Sequence, residues 1–145
     1  MNNPDLMKKI LLDTNLLLYS MDANSKFYEI STNILENEAY DLFVSTKNIA
    51  ELLAVNSKLK IDKSITLSFI NEILDISTLL YPTKHSFDIF LQIISNYSIK
   101  GNKVYDMEIV SIMLANKLDT IATFNHKDFR EISEIQILNE CIDGI

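Results

Sequence analysis

Ile10-Leu11-Leu12 sets three large aliphatic side chains in a row and then stops on Asp13-Thr14-Asn15. A short, unbroken apolar run is the pattern of a strand buried on both faces, which in practice means a parallel sheet with helices on each side. The polar residues that end the run suit a turn or a helix cap. Open sheets of this kind bind ligands just beyond the carboxyl ends of their strands. Asp13 is therefore expected at the mouth of a cleft, and the question becomes which other acids arrive there.

The rest of the chain alternates in the same way. Further short strands are expected at Leu42-Phe43-Val44, at 78–81 ahead of Pro82, at 120–124 and at 135–138. Between them lies helical periodicity. A short helix at 15–19 is followed by one over 25–39 carrying Phe27, Ile30, Ile34 and Leu35. A helix capped by Ser45 or Thr46 turns Ile49, Leu52, Leu53 and Leu59 inward, and one capped by Asp62 does so with Ile65, Phe69, Ile70, Ile73 and Leu74. Thr83 starts a helix with Phe87, Phe90, Leu91 and Ile94, and after the loop Lys100-Gly101-Asn102-Lys103 another begins at Tyr105-Asp106. Such alternation predicts an α/β fold, an α/β/α sandwich around a mainly parallel sheet of about five short strands.

Length and composition agree with a single domain over residues 1–145, with 1–6 as a flexible leader. A formal charge of -7 argues against a surface coated in basic residues for indiscriminate nucleic-acid binding. It leaves open a nucleic-acid enzyme whose metal-binding acids count as negative until the metal is bound. The single cysteine, Cys141, permits no intramolecular disulfide and points to a reducing compartment. Lys8 and Lys9 precede an apolar run, but Asp13 and Asn15 interrupt it, so no signal peptide is read there. No stretch approaches the roughly 18 apolar residues of a membrane helix. A cytoplasmic protein without membrane contact is expected.

Asp13 ends the first strand, Glu51 follows the second, and Asn125 and Asp128 follow the fourth. Asp106 opens the helix that leads back into the fourth strand and reaches the same edge if that helix runs antiparallel to the strands. Each acid alone is ordinary: a turn, a helix-start charge, a solvated side chain. Together they would resist ionising side by side. Mg²⁺ or Mn²⁺ would relieve that, polarise a phosphate and activate water, which implies phosphodiester hydrolysis. Lys47, Lys100, Lys103, Lys127 and Arg130 are expected near this mouth, where they could hold a phosphate backbone. Tyr105 could stack on a base. His85 is read as surface and His126 as adjoining the cleft without zinc-ligand spacing.

Leu12-Asp13-Thr14-Asn15, Asn48-Ile49-Ala50-Glu51, the Tyr105-Asp106 helix and the run from Leu118 through Asn125 to Lys127-Asp128-Phe129 occur in an order that resembles the PIN-domain family, and within it the VapC-type toxins. The resemblance implies a metal-dependent endoribonuclease acting on RNA, a cognate antitoxin and a homodimer. It carries the family's acidic triad onto Asp13, Glu51 and Asp106 as metal ligands. It places a fourth polar position on Asn125, with Asp128 as substitute or support. Thr14, Asn15 and Thr123 look like hydrogen-bonding support, and Lys47, Lys103, Lys127 and Arg130 like substrate contacts. Met107 departs from the small residue that often follows the motif acid. Two other readings stand beside it. A haloacid-dehalogenase-type phosphatase would use Asp13 as nucleophile but wants an acid where Asn15 stands, and a degenerate PIN module would bind without cleaving.

Overall fold

The computed structural model describes residues 6–143. Of the expected leader, only Leu6 falls within that range, and it is exposed. Five strands form one all-parallel sheet in the order β3-β2-β1-β4-β5: β1 (Lys8–Leu12), β2 (Tyr40–Ser45), β3 (Thr78–Leu80), β4 (Thr120–Ala122) and β5 (Gln136–Ile137). The expected α/β/α sandwich is what forms.

β1 lies at the centre, with Ile10, Leu11 and Leu12 completely buried. Side chains alternate across a strand, so the run feeds two cores. Ile10 and Leu12 pack with Leu42, Val44 and Ala122 on one face, beneath α1 (Thr14–Ser20), α2 (Tyr28–Glu36), α3 (Thr46–Lys58) and α4 (Lys63–Ile76). Leu11 packs with Ile121 on the other, beneath α5 (Lys84–Asn96), α6 (Lys103–Ala115) and the short α7 (His126–Phe129). Burying each such aliphatic side chain contributes about 1.5–3 kcal/mol, which is why one apolar run can organise both layers. α8 (Asn139–Asp143) follows β5, and Cys141 is buried in the first core, as packing alone would have it.

The chain builds β1, β2 and β3 in one direction and then crosses to the far side of β1 to lay down β4 and β5. The order therefore reverses between β1 and β4, the place where open α/β sheets leave a crevice. Asp13 follows β1 and Thr123 follows β4, at that point.

Several helix faces differ from their sequence reading. α2 begins at Tyr28, because residues 22–28 first make successive turns. Leu59 lies past the end of α3 at 64% exposure, beside Lys60 in the left-handed region at φ 59. Ile65 in α4 and Phe87 and Leu91 in α5 are exposed, and α5 turns Ser86, Ile93 and partly Phe90 and Ile94 inward. α6 starts at Lys103, two residues before Tyr105-Asp106, directly after Gly101 at φ +61 and Asn102.

Candidate active site

Asp13 caps α1: its backbone is extended (φ -76, ψ 157) and its Oδ1 accepts from Thr14 N at 2.8 Å. Its own N–H donates to Ala122 O at 3.0 Å, which ties the tip of β1 to β4. Oδ2 accepts from Thr123 Oγ1 at 2.7 Å and Asn15 Nδ2 at 3.3 Å. Asn15 also donates to Thr123 Oγ1 at 3.0 Å and accepts from Phe124 N at 3.2 Å, so both strand ends are held in one network. The carboxyl is nearly enclosed. Burial pushes its pKa up from 3.8 to about 6 against the lowering effect of Thr123 and Thr14, with the charges of Glu51 and Asp128 adding to the rise.

Asp106 occupies the first turn of α6, half-buried. Its pKa rises to about 7, through burial first, then a hydrogen bond with Asp128, then the charges of Asp128, Asp13 and Glu51. Asp128, on α7, also accepts from the side-chain amide of Asn125. Asn125 in turn donates its backbone N–H to Thr123 Oγ1 at 3.0 Å. Glu51 is exposed on α3, and its charge is felt by both Asp13 and Asp106. Glu51 and Asp128 thus act on both Asp13 and Asp106 at the carboxyl edge of the sheet.

The family model of the PIN domain matches residues 10–135. The chain belongs to the PIN-domain family. No curated protein matches it in sequence. Among solved structures it is similar to VapBC2 of Rickettsia felis bound to a DNA fragment from its promoter, at 22% identity and a TM-score of 0.68, covering 90% of this chain and 97% of that one. It is also similar to VapC20 of Mycobacterium tuberculosis, a sarcin–ricin-loop-cleaving toxin, at 9% identity and a TM-score of 0.70, covering 88% and 98%. FitAcB of Neisseria gonorrhoeae gives 22% and 0.64, covering 90% and 97%. At these identities the likeness is one of fold.

In this PIN domain Met107 is fully buried in the second core and leaves Asp106 free to face the acids. Lys47 is paired with Glu108 at 2.9 Å and Lys103 with Glu131 at 3.6 Å. Lys127 and Arg130 are exposed and, among the described residues, take part in no salt bridge. His126 Nε2 lies 3.1 Å from Cys141 O, which directs the ring toward α8. His85 is exposed on α5, as read from sequence.

Asn48 was given no role by the sequence reading, although it stands in the motif that leads to Glu51. It is fully buried, and its Nδ2 reaches Asp13 Oδ1 at 3.4 Å and Thr14 Oγ1 at 3.2 Å. The available signal was Ser45-x-x-Asn48, a capping-box spacing that puts the amide in the first turn after β2.

Proposed function

We propose that this chain is a divalent-metal-dependent endoribonuclease, the toxin of a toxin–antitoxin pair, acting in the cytoplasm as a homodimer. The observation that carries this reading is the gathering of Asp13, Glu51, Asp106 and Asp128 at one sheet edge, where burial and the charges of Glu51 and Asp128 lift the Asp13 and Asp106 carboxyls toward neutrality. Such a donor set lacks positive charge, and oxygen ligands suit Mg²⁺ or Mn²⁺. Among the described residues no three His, Cys, Asp or Glu side chains form a ready metal cage. A cation held by one or two carboxylates, with water completing its shell, is compatible with that.

Asp13, Glu51 and Asp106 are the residues that would hold the ion, which when bound polarises a phosphate and makes water acidic enough to attack it. Thr14, Asn15 and Thr123 keep the Asp13 carboxylate in one orientation. Asp128, beside Asp106 and oriented by Asn125, is the carboxylate placed to take the proton that the attacking water gives up. Lys127 and Arg130, on and just after α7, are free to meet the phosphate backbone. Lys47 and Lys103 can do so only by leaving Glu108 and Glu131.

RNA as substrate is supported by the fold shared with VapC20, and an antitoxin partner by the fold shared with the VapBC structures. Among the described residues no helix is long and apolar enough to cross a membrane. The test is cleavage of a labelled structured RNA with Mg²⁺, with Mn²⁺ or with chelator, comparing the parent with Asp106→Asn purified identically. Metal-dependent cleavage lost in Asp106→Asn is expected. Equal cleavage by both proteins would expose a contaminant. No cleavage together with no metal binding in calorimetry would overturn the reading in favour of a binding module.

A further inference from the structure

The buried amide of Asn48 is engaged at both ends. Its Oδ1 accepts from Ser45 N at 3.1 Å and Ser45 Oγ at 2.6 Å, and its backbone N–H donates to Ser45 Oγ at 3.2 Å. These bonds close the cap of α3 and fix which way the amide faces. Its NH₂ is left pointing at Thr14 Oγ1, 3.2 Å away, and Asp13 Oδ1, 3.4 Å away. The same chain shows what a cap alone needs. At the start of α5, Thr83 and Ser86 make the equivalent box, with Ser86 Oγ accepting from Thr83 N at 2.8 Å. A hydroxyl suffices there. The longer amide at α3 gains only the reach to β1.

That reach completes the surroundings of Asp13. Four donors approach its carboxylate, Thr14 N and Thr123 Oγ1 closely at 2.8 and 2.7 Å, Asn48 Nδ2 and Asn15 Nδ2 at the longer 3.4 and 3.3 Å. Three come from the ends of β1 and β4. Asn48 alone comes from α3, the helix that carries Glu51 one turn further on.

We propose that Asn48 is a positioning residue, whose Ser45-held amide sets the Asp13 carboxylate and fixes Glu51's helix relative to it, so that both acids address a divalent cation from set directions. This rests on the metal-nuclease reading above. Asn48→Ser keeps the cap, as Ser86 does, and is too short to reach Asp13. The experiment measures Mn²⁺ binding by calorimetry for the full chain at a temperature where it is folded, together with its melting temperature and RNA cleavage. Mn²⁺ affinity is expected to fall about tenfold, and kcat to fall with KM for RNA unchanged, while the melting temperature moves by no more than a few degrees. If Asn48→Ser does not fold, Asn48→Thr, whose methyl refills part of the space, is measured in its place. Unchanged Mn²⁺ affinity in the folded variant would overturn the proposal and leave Asn48 as a cap, with the nuclease reading intact. A parent chain that binds no Mn²⁺ would overturn both.

Discussion

Asp13→Asn, unfolded in urea with chelator present from about pH 4 to about pH 8, isolates the cost of keeping a charge at the tip of β1. In the folded protein burial raises the Asp13 pKa from 3.8 to about 6. A shift of roughly 2 units corresponds to ~3 kcal/mol. The sign follows from proton binding. Between the unfolded and folded pKa values the native state holds the proton and the unfolded state does not, so the parent loses stability as pH rises through that window. Above it the full cost is present, and below about pH 4 there is none. Asn removes the charge but not the shape. An NH₂ in place of Oδ2 can accept from neither Thr123 Oγ1, whose own two acceptor sites Asn15 and Asn125 already fill, nor Asn15 Nδ2, which costs about 2 kcal/mol of hydrogen bonding. The variant is therefore expected to be ~1 kcal/mol more stable than the parent at about pH 8 and ~2 kcal/mol less stable at about pH 4. The two curves should cross. Parallel curves, or a variant less stable than the parent at the alkaline end, would refute the claim that Asp13 is held charged against its surroundings.

Saturating Mn²⁺ should reverse the penalty, because an ion that binds only the folded protein adds ~2.7 kcal/mol at 100 times its dissociation constant. Thermal melts with and without the ion should show that gain in the parent and little of it in Asp106→Asn; no gain in the parent would count against metal binding. Gly101→Ala tests the turn that starts α6. Its φ is +61 and an added Cβ would meet nothing within 4 Å, so the loss should be the backbone cost alone, about 1–2 kcal/mol by thermal melt. A much larger loss would mean that the turn is held by contacts rather than by its left-handed backbone.

The central strand was legible because Ile10-Leu11-Leu12 admits few other environments, and the caps at Ser45, Asp62 and Thr83 were legible because each answers a local need of its own helix. The faces of α4 and α5 were less so. Ile65, Phe87 and Leu91 read as core by periodicity but stay exposed, because the neighbour each helix packs on selects its inward stripe. At the site, the order of Asp13, Glu51 and Asp106 along the chain was enough to bring them to one edge. The contact of Asp128 with Asp106 and the amide of Asn48 were not readable, since both depend on side-chain direction across elements far apart in sequence. Lys47 and Lys103 read in the sequence as substrate contacts at the mouth, and the acids that engage them, Glu108 and Glu131, appear only in the fold.

The site divides into a fixed half and a loaded half. Asp13 sits where the strand order reverses, with its N–H bound to Ala122 and its carboxylate bound by residues that are themselves tied to backbone: Asn15 to Phe124, Thr123 to Asn125, Asn48 to Ser45. Little can move there without breaking the junction of β1 and β4. The acids on α6 and α7 stand opposite. Asp106 and Asp128 come from a first helical turn and a four-residue helix, and their closest polar company is each other and Asn125. Repulsion concentrates on that side, and proton uptake or a cation relieves it. On the proposed metal-dependent reading, an arrangement that fixes one acid by hydrogen bonds and leaves its partners short of positive charge would give up some stability in the metal-free protein so that an ion would find its ligands already gathered.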